Sequence, residues 1–302
     1  MPNKSKVLKM FSQGVTTPPD HVIKGLQYET IMGSLSYGVS TDNSDQDIYG
    51  FSIPYKTMIF PHLQGYIMDF GPRPQGFDQW QQHHVKSPCG KIIYDFNIFG
   101  IVRFFNLCMN SNPNMIDSLF TPESCIQFIT KIGSMIRDKR HLFLSKKMWV
   151  TYKGYAYSQF RKIFTKEPDQ GKRKEICEKF GYDTKFAYHI VRLICQVEQV
   201  LNENTMDLQA NREQLKFIRE GGWTKEQLSN YLHEKSVSLE KLKNDSKIQE
   251  RPDEAAIKQL LLNCLEEHFG SLKDVVLMPE RSKLFAKEIG RVMREYSDVI
   301  EG

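Results

Sequence analysis

Two strand-like runs separated by a turn of small residues constrain the fold more than any other feature of the sequence. The first run is Tyr28–Met32, and the second, Ile48–Ile53, begins directly after an acidic pair formed by Asp45 and Asp47. Alternate side chains of a strand point to the same face, so the sequence predicts that these two carboxylates project together. Adjacent carboxylates repel each other, and a hard divalent cation such as Mg²⁺, which prefers oxygen ligands, relieves that repulsion.

The turn between the two runs begins with Gly33 and Ser34. Glycine leaves the backbone N–H groups open to close approach, and we expect the pair to open a short helix whose first N–H groups receive a phosphate oxygen. Taken alone, a Gly-Ser pair is usually an ordinary turn, and an Asp-x-Asp sequence is often a solvated loop. In this order, an anion-binding turn followed by a metal-binding pair is what a polymerase-like active site requires.

The same stretch resembles a known family of enzymes. Its residues are Gly33-Ser34, then Tyr37-Gly38, then Ser44-Asp45-Gln46-Asp47. This arrangement is similar to the nucleotidyltransferase superfamily of DNA polymerase beta, and within it to the bacterial and phage subfamily of predicted nucleotidyltransferases that includes RNA-repair-associated members. The resemblance implies that Asp45 and Asp47 bind two Mg²⁺ ions, for which Mn²⁺ is a substitute. It also implies that Gly33, Ser34 and Ser44 contact the nucleotide.

A polymerase-like site needs a third carboxylate beside the first pair, and Asp95 is the best candidate. The sequence predicts that Asp95 ends a strand, Lys91–Asp95, and precedes a helix over Phe99–Met109. The subfamily has an acidic residue eight positions before a basic residue of that helix, a spacing that Asp95 and Arg103 match. A third carboxylate ligates the catalytic metal ion and helps to accept the hydroxyl proton. The alternative is that Asp95 or Asn97 simply caps the helix.

Length and composition are those of an ordinary globular protein. The 302 residues suffice for two domains, and the 40% hydrophobic and 25% charged fractions are average. The sequence has no apolar run of about 18 residues, so no membrane partner is expected. The six cysteines form no Cys-x-x-Cys motif and the N-terminus resembles no secretory signal, which together predict a cytoplasmic protein. The net charge of +5 permits a nucleic-acid substrate without demanding one.

Two further segments flank the candidate third carboxylate. Prolines and glycines in residues 71–90 predict a loop. Its pair His83-His84 has no third nitrogen or sulfur ligand at a useful spacing, so we expect a substrate-facing loop rather than a metal site. Asn112–Phe120 has the pattern of an Asn-Pro turn and a capped helix, and it resembles the subfamily's Asn-Pro-x-x-x-Glu-x-Leu segment with Asp117 in place of the Glu. We assign this segment to packing.

Beyond residue 123 the apolar positions recur at intervals of three and four, which predicts a helical second half. The expected helices are Cys125–Arg137, Met148–Ile163, Asp183–Leu201, Arg212–Arg219, Lys225–Leu242, Glu254–Phe269 and Arg281–Tyr296. The predicted fold class is α+β, with a polymerase-beta-like nucleotidyltransferase catalytic domain over residues 1–135 that contains a mixed sheet. An all-helical substrate- and nucleotide-binding domain follows over residues 136–302.

A basic stripe is predicted on the helix that begins near Asp183. Lys185, His189 and Arg192 are spaced four and three apart, so they share one face, and the apolar residues between them mark the opposite face as the core side. An ordinary solvated face is the plain alternative. The stripe resembles the subfamily's Lys-x-x-x-His-x-x-Arg-Leu motif. A stretch similar to its Gly-Tyr-Ala-x-x-Gln segment adds Tyr155, and Lys153 precedes it; the resemblance implies that all of these residues line the cleft and bind the nucleotide.

The function that the resemblance implies is metal-dependent nucleotidyl transfer. An acceptor hydroxyl attacks the α-phosphorus of an NTP such as ATP, and pyrophosphate leaves. The RNA-repair association of similar proteins favours an RNA end as acceptor, although no RRM or KH motif supports it independently. Three alternatives stay open: a catalytically silent nucleotide- or RNA-binding module of the same fold, a transferase that nucleotidylates a protein, and a plain helical scaffold with an incidental acidic loop.

Overall fold

The computed structural model has the α+β class that the sequence predicts. It describes residues 5–40, 45–72, 74–165, 172–272, 285 and 287–293. Within these residues, a five-stranded mixed sheet with flanking helices forms the N-terminal half, and a helical region follows it. No helix in this described part of the chain is long and apolar enough to cross a bilayer.

The sheet places two parallel strands next to each other near its centre. Its strands are β1 (Leu26–Met32), β2 (Gln46–Ser52), β3 (Gln79–Lys86), β4 (Ile93–Gly100) and β5 (Ile126–Ile129), in the spatial order β3-β4-β2-β1-β5. β2 and β4 run parallel, while the other neighbouring strands are antiparallel. The predicted strand–turn–strand unit is therefore β1 and β2, and β4 lies beside β2.

The helices begin with two short ones before the sheet and continue to the end of the helical region. They are α1 (Lys6–Ser12), α2 (Asp20–Gly25), α3 (Lys56–Ile59), α4 (Ile101–Met109), α5 (Pro113–Phe120), α6 (Lys131–Asp138), α7 (Lys147–Thr165), α8 (Lys172–Phe180), α9 (Thr184–Glu203), α10 (Arg212–Arg219), α11 (Lys225–Asp245) and α12 (Glu254–Phe269). Thr224 and Gln227 form a capping box at the start of α11, as their spacing indicates. Half of the expected helix Arg281–Tyr296 lies outside the described residues, and the described half, 285 and 287–293, is helical.

The sheet separates two hydrophobic clusters. The smaller cluster contains Ile48 and Phe96 from the sheet and packs against α1 and α2. The larger cluster contains Phe51 and Phe99 and continues through α4, α7 and α9 to α12. Side chains alternate between the two faces of a strand, so the odd-numbered residues of β2 and β4 all face the side on which the helical region packs.

Residues 71–90 contain a strand, so the prediction that the whole segment is a loop is wrong. β3 pairs antiparallel with β4, and the Trp80 ring stacks on Phe96 with centroids 5.8 Å apart. The inward-facing positions are Trp80, Gln82 and then Val85, because a bulge inserts one extra residue after Gln82. That extra residue interrupts the two-residue alternation by which a strand is recognised.

The predicted helix Cys125–Arg137 is also wrong in its first part. Ile126–Ile129 forms β5, an edge strand that pairs antiparallel with β1. The helix starts only at Lys131. Thr130 is its N-cap, and the Thr130 hydroxyl accepts a hydrogen bond from the backbone N–H of Gly133. In addition, Asp95 is the third residue of β4 rather than the last residue of a strand, so it does not cap a helix.

Candidate active site

The parallel pairing of β2 and β4 brings two of the predicted carboxylates side by side. Asp47 and Asp95 are Cα partners in register, and further along the same two strands Phe51 faces Phe99. Neighbouring strands lie about 4.8 Å apart, and both aspartates project from the face that carries these phenylalanines. Asp45 lies one residue before β2 and is exposed.

The charges around Asp47 indicate that Asp95 and Asp45 each lie near it. Burial raises the pKa of Asp47 above its usual value, and the carboxylates of Asp95 and Asp45 raise it further. The ammonium group of Lys185 and the ring of His83 oppose this rise, so both of these side chains also lie near Asp47. Four residues of the predicted set, from three separate parts of the chain, therefore meet here: Asp45, Asp47, Asp95 and Lys185.

Gly33 lies directly against Asp47. Met32 pairs with Asp47 in the β1–β2 ladder, and the chain leaves the strand at the next residue. Gly33 has a left-handed backbone with φ of 70°, and a Cβ atom added to it would lie 2.4 Å from Asp47 Oδ2. Both the conformation and the lack of space require glycine at this position.

The residues after Gly33 form consecutive turns, so the expected short helix is absent at this place. The backbone N–H of Tyr37 donates to the Gly33 carbonyl at 3.3 Å, and that of Val39 donates to the Ser34 carbonyl at 2.8 Å. These hydrogen bonds fix the backbone of Ser34, which is the next residue after Gly33, the residue in contact with Asp47. Ser44, the remaining predicted nucleotide contact near the acidic pair, lies outside the described residues.

Arg192 is buried, so the prediction that the basic stripe faces away from the core is wrong at this position. Its guanidinium donates to the Asp117 carboxylate, which also accepts a hydrogen bond of 2.8 Å from the Tyr37 hydroxyl. Arg192 is 5% exposed and Asp117 is fully buried. Burial raises the pKa of Asp117 and Arg192 opposes that rise, so each charge makes burial of the other tolerable. The ion pair also ties α9 to the turn that begins at Gly33.

Two further contacts attach the same turn to the helical region. Gln209 donates from its amide nitrogen to the Ser36 carbonyl at 3.3 Å, and the Arg219 guanidinium donates to the Val39 carbonyl. The helical region therefore fixes the turn at several points along its length. Neither residue stands out in the sequence, because contacts to backbone carbonyls leave no spacing pattern.

The other two stripe residues have different surroundings. The His189 ring stacks on Tyr188 with centroids 4.3 Å apart. Burial, with Arg192 and Lys185 close by, lowers the pKa of His189 well below its usual value, so the ring is neutral near pH 7. Lys185 is exposed in the first turn of α9. Of the three stripe residues, Lys185 is the one whose charge lowers the pKa of Asp47.

Lys153 and Tyr155, both on α7, have separate neighbours. The Lys153 ammonium group lies 4.9 Å from the centroid of the Trp149 ring and 3.8 Å from Glu240 Oε2, so its described contacts are with α7 and α11 rather than with the carboxylates. Tyr155 is 43% exposed and lies near Tyr49. Tyr155 therefore borders the site from the helical side.

Tyr49 is a site residue that the sequence reasoning missed. Burial raises the pKa of Tyr49 to about 12, and the charges of Asp47 and Asp95 contribute to the rise. Its hydroxyl is hydrogen-bonded to the side chain of Asn114, in the first turn of α5. Tyr49 follows Asp47 by two residues in a strand, and this spacing alone would have placed it on the same face.

His83 and His84 also belong beside the carboxylates. The backbone N–H of His84 donates to Asp95 Oδ1 at 2.7 Å, and His83 Nδ1 lies 3.6 Å from the same oxygen. The predicted loop is wrong for this pair, because His83 and His84 belong to β3. The bulge breaks the two-residue alternation at this pair, so no periodic signal in the sequence places it on a strand.

The donor set at this edge of β2 and β4 has the chemistry that a hard divalent cation requires. It consists of carboxylate oxygens whose like charges raise the pKa of Asp47, which is the repulsion that a cation relieves. Within the described part of the chain, no three His, Cys, Asp or Glu side chains are already arranged around one point as metal ligands. The carboxylates are thus neighbours along the strands and do not form a closed cage.

Comparison with known proteins was made for the sequence and for the fold. No curated protein matches the chain. Among solved structures, the crystal structure of a nucleotidyltransferase-like protein from Exiguobacterium sibiricum 255-15 is similar with 9% identity, covering 96% of this chain and 89% of that chain, at a TM-score of 0.27. A similarity this low supports no further comparison of the two molecules.

The sequence profile of one family matches residues 19–276, a range that includes all of the predicted site residues. The resemblance inferred from the Gly-Ser turn and the acidic pair is confirmed by this match. The chain belongs to the RNA repair pathway DNA polymerase beta family, RlaP.

Proposed function

We propose that the protein is a metal-dependent nucleotidyltransferase that moves an NMP from an NTP to an acceptor hydroxyl and releases pyrophosphate. The observation that carries the proposal is the register of Asp47 with Asp95 on parallel strands, with Gly33 packed against Asp47. Membership of the family supports a polymerase-beta-like transferase in general. The identity of the donor, the metal and the acceptor are our inference.

Asp45, Asp47 and Asp95 would hold two divalent ions, Mg²⁺ by preference and Mn²⁺ as a substitute. When bound, such ions neutralise triphosphate charge and lower the pKa of the attacking hydroxyl. The raised pKa of Asp47 favours this arrangement, since a cation would replace the unfavourable contact between like charges with an attractive one. Oxygen ligands alone suit Mg²⁺ better than softer metals.

The turn and Lys185 would bind the triphosphate. The backbone N–H groups of Gly33 and Ser34 would receive a phosphate oxygen, since Gly33 adds no side chain between the turn and Asp47. Lys185 would supply a positive charge near Asp47, whose pKa it lowers. Arg192 would serve nucleotide binding indirectly, because its ion pair with Asp117, which also accepts a hydrogen bond from Tyr37, holds the turn in place. Lys153, whose described contacts are with Trp149 and Glu240, would have at most a minor part.

The chemical step then follows from positioning and charge. The acceptor oxygen attacks the α-phosphorus, a new P–O bond forms, and the bond between the α-phosphorus and the bridging oxygen breaks to release pyrophosphate. Asp95 would accept the proton of the attacking hydroxyl. Tyr155 and Tyr49, which border the same carboxylates, would contact the nucleoside or the acceptor.

An RNA end is the acceptor that we propose, because the family is defined by an RNA repair pathway. The test is to incubate the purified protein with each α-labelled NTP, Mg²⁺ and either total RNA or a protein extract. Label in RNA supports the proposal, label in protein identifies a protein-nucleotidylating enzyme, and label in neither identifies a silent binding module. The variants Asp45→Asn and Asp47→Asn should abolish transfer, and undiminished labelling by either would remove that residue from the mechanism.

A further inference from the structure

The bulge in β3 lies opposite Asp95. Gln82 is paired with Phe96 and Val85 with Tyr94, so two residues of β3, His83 and His84, face the single residue Asp95 of β4. A bulge inserts a residue that the ladder does not pair, and it can turn a backbone or side-chain group toward a site. The bulge therefore lies beside the third carboxylate, Asp95.

His84 has a backbone conformation that non-glycine residues rarely adopt. Its φ is 56°, in the left-handed region. In a regular strand the N–H lies in the plane of the sheet and bonds to the neighbouring backbone. At His84 the N–H instead donates to Asp95 Oδ1 at 2.7 Å. The strained conformation and the hydrogen bond thus occur together, and strained residues of this kind concentrate at functional sites.

Both favourable contacts of the Asp95 carboxylate within the described residues, with the His84 N–H and the His83 ring, come from the bulge. On its other side, in register on β2, lies the negatively charged Asp47. The His83 ring approaches the same Asp95 oxygen at 3.6 Å, while half of that ring remains exposed to solvent. Without the bulge, Asp95 would face one like charge and no fixed donor from β3.

We propose that the His83–His84 bulge positions Asp95 for the divalent metal ion: the His84 N–H holds Oδ1, so that the carboxylate is presented to the ion in one orientation. Groups that orient a metal ligand in this way alter metal affinity strongly although they do not touch the metal. The inference rests on the proposed function, since it takes Asp95 as a ligand. It does not depend on the protonation of His83.

The test measures Mn²⁺ binding to the whole chain. Electron paramagnetic resonance monitors the binding, so the readout requires no nucleotide turnover. The variants His84→Gly, His84→Ala and His84→Val keep the N–H but make the left-handed conformation progressively harder to adopt. We expect His84→Gly to retain most of the affinity, His84→Ala to weaken it, and His84→Val to weaken it by about tenfold or more, in the range found for groups that orient metal ligands. If His84→Val does not fold, the comparison of the Gly and Ala variants decides the question.

A matched control is available in Asn204, which ends α9 with a φ of 51°. It lies 19 residues after Lys185 on the same helix, about 28 Å away at 1.5 Å per residue. Asn204→Val introduces the same kind of backbone strain and should lower the melting temperature while leaving Mn²⁺ affinity unchanged. If the three His84 variants bind Mn²⁺ as the wild type does, the positioning role is excluded.

Asp95→Asn and Asp47→Asn separate this inference from the proposed function. If both weaken Mn²⁺ binding and the His84 series does not, the metal site stands and the bulge is irrelevant to it. If the wild-type protein binds no Mn²⁺, or binds it as tightly after either aspartate is replaced, the metal site itself is refuted and the positioning role is refuted with it.

Discussion

Two inward-facing aspartates of this protein, Asp47 and Asp117, are surrounded in opposite ways. Asp117 is fully buried, and Arg192 neutralises its charge while Tyr37 donates a hydrogen bond to it. Asp47 is partly buried and lies among other carboxylates, with Lys185 as the cationic side chain that acts on it. Burial raises the pKa of both groups; Arg192 opposes that rise at Asp117, whereas at Asp47 the charges of Asp95 and Asp45 add to it and Lys185 opposes it.

We interpret the difference as that between a structural carboxylate, Asp117, and one that serves the proposed function, Asp47. A buried carboxylate with its own arginine satisfies its charge within the fold, and its loss leaves an uncompensated cation. A carboxylate beside other carboxylates destabilises the fold through like-charge repulsion, and only a cation that binds there relieves that repulsion. Asp117 should therefore matter mainly for stability, and Asp47 mainly for activity.

The largest expected effect is on activity, at Asp47. Asp47→Asn should lower the rate of nucleotidyl transfer by about a thousandfold or more, because several kcal/mol of charge stabilisation is lost with the metal ions. The melting temperature should stay the same or rise, since one of three adjacent like charges is removed. Transfer rates with α-labelled NTP and thermal melting, measured on the same preparation, test both halves. A large drop in melting temperature would make Asp47 structural.

Asp117 should show the opposite pattern. Asp117→Ala leaves Arg192 buried without a partner and should lower the free energy of unfolding by about 3–5 kcal/mol. Chemical denaturation measures this loss. Glu178→Ala, which removes the partner of the exposed Lys174, is the control and should change stability little. A stable Asp117→Ala variant with lost activity would reverse the distinction drawn between the two aspartates.

Another buried carboxylate, that of Glu29, extends the comparison. Its described contacts include no cationic partner at hydrogen-bond distance. It accepts hydrogen bonds from the Ser5 hydroxyl at 2.6 Å and from the Lys6 backbone N–H at 2.6 Å, which anchors α1 to the sheet. Burial raises the pKa of Glu29 from 4.5 to about 7. Its proton is therefore bound more tightly in the folded state, and the resulting stability is complete below pH 4.5 and is lost as the pH rises through 7.

Glu29→Gln should remove this pH dependence. The loss of stability between pH 5 and pH 8 should be smaller in the variant by up to about 3 kcal/mol, from a shift of about 2.5 pKa units. Urea denaturation of both proteins at the two pH values measures the difference. Parallel pH profiles for wild type and variant would show that Glu29 titrates normally.

The smallest expected effect distinguishes two lysines that the sequence places in one group. Lys185→Ala should weaken NTP binding by about tenfold, the cost of one hydrogen bond to a charged group. Lys153→Ala should change NTP binding by less than about twofold, because Lys153 is engaged with Glu240. Titration calorimetry with a non-hydrolysable NTP compares the two variants, and equal losses would place Lys153 at the nucleotide after all.

The sequence was sufficient to predict the parts of the site that follow strand periodicity. The two-residue alternation predicted the face of Asp47, and the small-residue turn located Gly33, which lies against it. Asp45 lies one residue before β2, so its expected projection to the same face stays a prediction. Asp95 was found as a candidate third carboxylate, although it lies inside β4 rather than at its end. These features are local, because a strand fixes the direction of its side chains without reference to the rest of the molecule.

The features that the sequence did not reveal depend on distant partners or on interrupted periodicity. Arg192 looks like a solvated stripe residue because the partner that buries it, Asp117, is 75 residues away. β3 was missed because its bulge shifts the inward-facing positions from Gln82 to Val85. The four residues of β5 are too few to establish a pattern against the helix that follows.

The measurement that tests the central claim most directly is the pKa of Asp47 with and without Mg²⁺. Carbon-13 labelling of the aspartate carboxyl groups, with Asp47→Asn to assign the signal, follows this titration by nuclear magnetic resonance. We predict a pKa above the usual aspartate value in the absence of the ion, and a marked decrease when Mg²⁺ is added. An ordinary pKa that does not respond to Mg²⁺ would contradict the account, because Asp47 would then bind no cation.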